Sequence, residues 1–489
     1  MDHGLDTSEF RDSAHYLADF IADYLESVDK KPLFPTVHPD TLSQIFDELL
    51  PVNGKEMQAV LRELEEKLMP YCTHVNHPGY MGLITPSPNP AGILGDFLAS
   101  ALNQNLGVFS IGPSAVTMER QVIRWLTDLA GYGPEAGGNL TSGGMTANFI
   151  GLKLARDFTS GDSAQYHGLQ GKWKIYVSEE RHISMDKSVD AIGLGRENLA
   201  LIATNEQYQI DIPELERQLN EDKLSGYRPL CVVGLAGTTN LGAIDDLAAL
   251  REICDREKCW LHADAAYGGG VLLSQKHRGI LHSLNKADSI TIDPHKWFYA
   301  PLDAGAILVK DHNRLTASFG LKPAYLTDQT AQKEDRYAFY EHGFEQSKRF
   351  RSLKVWMSFK RYGSNQIGTW IESNIDQALY LHELIQPDHE FESAMRPGMS
   401  AICIGFRGTG LSVSQADRLH FLVSDLVEKE GKFWFGTTRM KNKTWFRINP
   451  VNLFTTKDYM KELYEDLRNH CRDVRDELLK ARGCAKSVE

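Results

Sequence analysis

The residues best able to act together chemically begin with Thr291-Ile292-Asp293-Pro294-His295-Lys296-Trp297, where a lysine follows a histidine just beyond a short apolar run. A lysine amine condenses with an aldehyde to give an imine that an incoming amine can displace, so Lys296 is suited to hold an aldehyde and to hand it to an amino substrate. This chemistry needs a lysine and not an arginine. A lone His-Lys pair is usually an ordinary strand end, and it is four other stretches that single Lys296 out. Thr141-Ser142-Gly143-Gly144-Met145-Thr146-Ala147-Asn148 precedes an apolar helical run. A glycine pair at a helix start frees backbone N–H groups, and the positive end of the helix dipole, to face a phosphate. His262-Ala263-Asp264-Ala265-Ala266-Tyr267-Gly268 places Asp264 at the end of a buried-looking strand. Its carboxylate could keep a pyridine nitrogen protonated, with Ala266 small enough to let the ring lie flat. His182, in Glu180-Arg181-His182-Ile183-Ser184, could stack on the other face of that ring, and the hydroxyl of Thr239, in Gly237-Thr238-Thr239-Asn240, could meet a ring oxygen. Taken singly, each has a plain structural explanation: a helix entry, an N-cap, a structural histidine, a turn.

These side chains need a scaffold that brings strand ends together. From about 135 to 310, β-rich runs (Trp173 to Val177, Leu199 to Ala203, Leu230 to Leu235, Cys259 to Ala263, Ser289 to Ile292, Ala304 to Val309) alternate with segments mostly long enough for a helix. That rhythm predicts an α/β domain with a largely parallel sheet, whose ligands gather outside the carboxyl ends of the strands. Ahead of it, Phe10, Ala14, Leu17, Phe20, Ile21, Tyr24 and Leu25 are spaced as an amphipathic helix, and helical patterns recur near 40–49, 55–68, 91–101 and 115–130. Beyond Gly363, strands at Ala401 to Phe406, Phe433 to Gly436 and Trp445 to Ile448, with helices near 414–430 and 457–480, predict an α+β domain. The expected organisation is a helical arm and loop over 1–90, packing on a partner subunit, a large α/β domain over 91–363 and a small C-terminal domain over 364–489.

With 53 Lys and Arg against 65 Asp and Glu, a net charge of −12 argues against nucleic acid or an anionic membrane as partner. The seven cysteines are scattered without zinc or redox spacing, and no metal is expected. Neither an export signal nor a membrane span is seen, so the expected location is cytoplasmic.

Taken in order, the phosphate cradle, histidine, hydroxyl, aspartate and lysine resemble the group II pyridoxal phosphate-dependent decarboxylases of fold type I, closest to the aromatic L-amino acid decarboxylases. The most specific stretches are HADAAYGG, DPHKW and Arg349-Phe350-Arg351-Ser352-Leu353-Lys354. The resemblance implies that pyridoxal 5'-phosphate is held by Lys296, paired at its ring nitrogen with Asp264, stacked by His182 and packed by Ala266. It also implies that Gly143, Gly144, Met145 and His295 bind the phosphate. Asp293 departs from the family, whose aromatic enzymes commonly have asparagine there; an aspartate beside a phosphate must turn away, be protonated or be neutralised. Lys322-Pro323-Ala324-Tyr325-Leu326 matches a mobile loop that in relatives reaches the neighbouring subunit's site, where its tyrosine protonates the carbon that has lost carbon dioxide. Tyr325 thus implies a homodimer and favours an amine product over an aldehyde. Substrate-wall candidates are Ile84, Thr85, Ser87, Phe109 and Arg447. The expected substrate is tryptophan, tyrosine, phenylalanine or a hydroxylated relative. The alternatives are a small or acidic amino acid (glutamate, aspartate, cysteine sulfinate), or an aldehyde synthase or aminotransferase on the same fold.

Overall fold

The structure, a computed structural model, describes residues 6–35, 37–161, 163–321 and 337–485. Contacts gather the chain into two compact units, neither of them one continuous stretch. One comprises Ile84–His382 and Ser393–Cys403; the other comprises Met1–Leu83, Glu383–Glu392 and Ile404–Glu489. The larger unit runs past Gly363, where the long helical stretch Ser352–Ile385 breaks at φ 69°.

The larger unit is built on a seven-stranded sheet of β1 (Gly137–Thr141), β2 (Trp173–Ser178), β3 (Leu199–Ile202), β4 (Arg228–Leu235), β5 (Trp260–Asp264), β6 (Ser289–Ile292) and β7 (Gly305–Val309). Their order is β1-β7-β6-β5-β4-β2-β3. Strands β3, β2, β4, β5 and β6 are mutually parallel, while β7 runs antiparallel to both β6 and β1. Parallel strands are covered by helices on both faces and so read as unbroken apolar runs. That is why Leu230 to Leu235 in β4 and all of β5 are buried. Helix Gly144–Thr159 lies across the sheet, with Ala147, Ile150, Leu152, Leu154 and Ala155 entering the same core as Ile175, Val177, Val233 and Ile307.

Strand β1 is the element the sequence does not announce, because Gly-Gly-Asn-Leu-Thr shows neither alternation nor β-branched enrichment. It is held by its neighbours. Its register on β7 pairs Gly137 with Val309 through Thr141 with Gly305. Beside it, Lys348 donates from Nζ to Asn139 Oδ1 at 2.6 Å and to the Leu140 carbonyl, and pairs with Glu119 Oε1 at 2.9 Å. Both Lys348 and Glu119 are buried. Because β1 and β6 are each antiparallel to β7, they run in the same sense. The turn after β1 therefore opens on the same side of the sheet as the ends of β2, β4, β5 and β6.

The second unit carries helices Thr7–Ser27, Pro39–Phe46, Met57–Lys67, Val413–Glu430 and Lys457–Ala485. The small sheet has the order β10-β11-β9-β8, with β8 Phe391–Ser393, β9 Ile402–Phe406, β10 Gly436–Met440 and β11 Lys443–Ile448. The strand expected at 433–436 is displaced: pairing with β11 starts at Gly436 and runs to Met440. The preceding residues are taken by a different partner, since Trp434 N–H donates to the Gly79 carbonyl and its own carbonyl accepts from Met81. Among the described residues no helix is long and apolar enough to cross a membrane.

Candidate active site

The ends of five strands surround one cavity of about 260 Å³, lined by Gly143, Gly144, Met145, Asn148, Glu180, His182, Leu235, Gly237, Thr238, Thr239, Asp264, Ala266, Tyr267, Asp293, His295 and Lys296. All belong to the larger unit. The structure thus brings together Lys296, Asp264, His182, Gly143, Gly144, Met145, Thr239, Ala266 and His295. Ile84, Thr85, Ser87, Phe109 and Arg447 are not in this wall. Ser87 is fully buried, Phe109 is exposed, and Arg447, in the other unit, donates from Nη1 to the Gly82 carbonyl at 2.6 Å. Tyr325 lies outside the described residues.

Strand β5 delivers Asp264 to the cavity floor. Its Oδ2 accepts from Asn148 Nδ2 at 2.8 Å and its Oδ1 from the Ala266 N–H at 3.1 Å. Asn148 projects from helix Gly144–Thr159, and behind it runs a continuous chain of donors. Asn148 Oδ1 can only accept, so the proton lies on His262 Nε2, 3.0 Å away. His262 Nδ1 then accepts from Ser289 Oγ at 2.8 Å, which itself accepts from Trp260 Nε1 at 2.8 Å. Burial pushes His262 down to about 4, so the imidazole is neutral and the chain keeps one direction, from indole to carboxylate. Sequence reasoning passed over Asn148 and His262. Their signal was their place inside two stretches already singled out, Asn148 at the end of one and His262 at the start of the other.

Beyond β2, the chain turns through Glu180 to His182. The Ser184 N–H points at His182 Nδ1 at 3.2 Å, so that nitrogen accepts and Nε2 carries the proton. Burial lowers the proton affinity of this imidazole, with the Asp264 charge opposing. Glu180, also missed, accepts from Asn240 Nδ2 at 2.8 Å and adds a carboxylate to the wall. The Thr239 loop closes through Asp245, whose carboxylate takes the Leu235 and Ile210 N–H groups, each at 2.7 Å.

Past β6 the backbone makes a tight turn in which the Lys296 N–H donates to the Asp293 carbonyl at 2.9 Å. Trp297, fully buried, fixes the turn by stacking on Tyr267 at 4.9 Å and donating to Asn374 Oδ1 at 3.1 Å. Lys296 Nζ stands 3.3 Å from Asp293 Oδ2, and His295 Nε2 is 3.6 Å from the same oxygen. His295 Nδ1 accepts from the Ala304 N–H at 3.0 Å, which leaves Nε2–H facing Asp293. Helix Gly144–Thr159 begins at this wall without a side-chain cap, and its first turn holds no acidic residue. The backbone is accessible there because glycine leaves it bare: a Cβ on Gly144 would lie 2.6 Å from Asp293 Oδ2, and one on Gly143 3.1 Å from His295 Cε1.

Such an arrangement offers a primary amine, an anion-receiving helix start and a carboxylate around one cavity, the set of groups that a phosphorylated pyridine aldehyde requires. Residues 39–407 match the pyridoxal-dependent decarboxylase conserved domain. The chain is 31% identical over 473 residues to an aromatic-L-amino-acid decarboxylase of Bacillus atrophaeus, covering 96% of this chain and 97% of that protein. Among solved structures it is similar to Oryza sativa TDC with PLP and tryptamine (TM-score 0.90, 25% identity, 96% of this chain and 99% of that one). It is also similar to mouse CSAD (TM-score 0.87, 25% identity, 95% and 99%). A cavity fitted for an aldehyde on a lysine, at the strand ends of a fold shared along nearly the whole chain, places this protein in the pyridoxal-dependent decarboxylase family, as a fold type I enzyme that decarboxylates an amino acid with pyridoxal phosphate.

Proposed function

We propose that this decarboxylase acts on an aromatic L-amino acid, releasing carbon dioxide and the corresponding amine. The observation that carries the substrate class is the 31% identity with the aromatic-L-amino-acid decarboxylase of Bacillus atrophaeus along 96% of this chain.

When bound, pyridoxal phosphate supplies an aldehyde for a lysine amine and a ring that accepts the electron pair left when carbon dioxide departs. In this reading Lys296 Nζ is the attachment point and yields its place to the substrate amine. Asp264, steadied by the Asn148 N–H and the Ala266 N–H, holds a proton at the ring nitrogen. His182 lays its imidazole on one ring face, and Ala266 keeps the other face shallow. The backbone at Gly143, Gly144 and Met145, with His295 Nε2–H, receives the phosphate, and Thr239 offers its hydroxyl to the ring oxygen. Tyr325 returns the proton to the substrate carbon. Ile84, Thr85, Ser87, Phe109 and Arg447 are the further substrate-side candidates. A homodimer completes the site; Leu49, Leu50 and Val52, each at least 90% exposed, give the N-terminal segment an apolar surface for a partner. Cys72, Cys231, Cys254, Cys259, Cys403 and Cys471, all free thiols, support a cytoplasmic setting.

The test is a panel of aromatic, hydroxylated aromatic, small and acidic L-amino acids, with carbon dioxide, amine, aldehyde and peroxide measured together. Stoichiometric carbon dioxide and aromatic amine are expected. Turnover of only small or acidic substrates would reassign the substrate class, and aldehyde with peroxide would reassign the product. Lys296→Ala should keep the fold and lose the cofactor that borohydride fixes covalently to the wild type; retained turnover would remove Lys296 from the reaction.

A further inference from the structure

The aspartate of the DPHK turn has not turned away from the phosphate cradle. Asp293 is 2% exposed and sits between two glycines: a Cβ on Gly144 would stand 2.6 Å from Oδ2, and one on Gly305 2.8 Å from Oδ1. Its Oδ2 is shared by Lys296 and His295, while the buried Oδ1 has no hydrogen-bond partner among the described residues. Resting on the reading of Gly143, Gly144 and His295 as the phosphate site, this geometry puts a carboxylate at the edge of the place a phosphate dianion must occupy. The one ammonium paired with it among the described residues, Lys296, is also the amine the cofactor's aldehyde takes.

The other charged groups around Asp293 do not offset a dianion. Asp264 on β5 adds negative charge. His182, after β2, and His295 are both driven toward their neutral forms by burial. Farther out, Asp303 and Lys354 act on His295 with opposite signs. Two like charges in one buried site cannot both persist without a counter-charge.

We propose that the Asp293–His295 pair takes up one proton from solvent when the cofactor's phosphate binds, so that cofactor retention in this enzyme is coupled to pH through Asp293. The proton sits on Asp293, between the carboxylate and the phosphate, and turns a repulsion into a hydrogen bond; His295 Nε2 already carries its own, because Nδ1 accepts from the Ala304 N–H. Because the complex then holds one more proton than the free protein, affinity falls as pH rises, by up to about tenfold per pH unit across the window in which the proton is taken up.

The test uses the full-length chain stripped of cofactor and titrated with pyridoxal phosphate or with pyridoxal, followed by absorbance and protein fluorescence between pH 7 and 9. Calorimetry in two buffers of different ionisation enthalpy counts the protons. Pyridoxal makes the same bond to Lys296 without a phosphate, so the ratio of the two affinities cancels the amine's own titration. For the wild type, the ratio should fall with pH, and binding of pyridoxal phosphate should take up one proton more than binding of pyridoxal does. In Asp293→Asn, the ratio should lose that slope relative to wild type, and the preference for pyridoxal phosphate over pyridoxal at pH 9 should rise at least tenfold. Asp293→Ser, which also lacks the charge, should behave alike and stands in should the asparagine variant not fold. An unchanged slope and proton count in these variants overturns the proposal. Gly144→Ala separates the two readings: it should weaken pyridoxal phosphate selectively. If it does so while Asp293→Asn changes nothing, the proton coupling falls and the cradle stands; if Gly144→Ala spares the ratio, the cradle assignment itself falls.

Discussion

Replacing Lys348 with methionine should damage this protein through strand β1 and not through a group that lines the cavity, and by an amount that depends on pH. Lys348 is buried with Glu119, 2.9 Å from Oε1, and also donates to Asn139 Oδ1 and the Leu140 carbonyl. Methionine keeps the length and apolar stem but removes the charge and every donor. Breaking a buried ion pair by deleting one member costs about 3–5 kcal/mol, because the remaining charge is left uncompensated. Burial already holds the Glu119 carboxyl above its usual range, with Lys348 pulling it down. Without Lys348 the folded protein should bind a proton on Glu119 still more tightly. A carboxyl whose folded proton affinity exceeds its unfolded one contributes stability below its unfolded pKa and loses it as pH rises. The deficit of Lys348→Met should therefore reach about 3–5 kcal/mol near pH 8 and shrink toward pH 5. Adding Glu119→Gln should restore much of the loss and flatten its pH dependence, since both charges are then gone. Guanidinium denaturation at pH 5, 6.5 and 8 measures the deficit, and hydrogen exchange in the peptide spanning β1 locates it. A single variant within about 1 kcal/mol of wild type at pH 8, or a deficit that ignores pH, would refute the assignment of Glu119 as a charge neutralised by Lys348.

Two further substitutions probe the groups behind the cavity. Asn148→Ala breaks the donor chain to Asp264, takes the amide donor from a buried carboxylate oxygen and leaves the His262 N–H only the Thr291 hydroxyl at 3.5 Å; a loss of about 1–3 kcal/mol is expected, read as a lower denaturation midpoint together with weaker cofactor binding. Asp245, pushed up to about 7 by burial against the pull of its two N–H donors, holds its proton more tightly folded than at its ordinary value of 3.8. Its contribution is thus complete below about 3.8 and is lost as pH rises through about 7. The difference in stability between wild type and Asp245→Asn should change between pH 4 and 7, and be flat above 8; a difference that is flat throughout would count against the buried acid.

Much of this was legible before any coordinates, and for a local reason. Parallel strands buried on both faces write themselves as apolar runs, and the residue that ends each run is carried to the same side of the sheet, so Asp264, Lys296, His182 and Thr239 could be grouped from their positions alone. What stayed hidden depended on contacts between distant segments. Strand β1 is a strand because β7 and Lys348 hold it, not because Gly-Gly-Asn-Leu-Thr favours extension. Trp434 was read as a strand residue, but its backbone is committed to Gly79 and Met81, more than 300 residues earlier in the sequence, and β10 begins two residues later. Asn148 and His262 look like an ordinary amide and an ordinary histidine until α/β packing sets them 3.0 Å apart. Asp293 was visible as an oddity, though only the two glycines that flank it show how little room its carboxylate has to leave.

The chain passes between the two compact units four times, after Leu83, His382, Glu392 and Cys403. No single cut can release either unit intact. On a ribosome the order of arrival matters as well: the N-terminal helices emerge first, but the segments they cluster with follow about 300 residues later, a wait of roughly 15–60 s at 5–20 residues per second. During that interval the larger unit can assemble most of its sheet while the first 83 residues, with Leu49, Leu50 and Val52 among them, have apolar surface and no completed fold to place it on. The synthesis of this enzyme therefore has a built-in vulnerable period at its amino end, and chaperone demand should track the time taken to translate the middle of the message, not the stability of the finished protein.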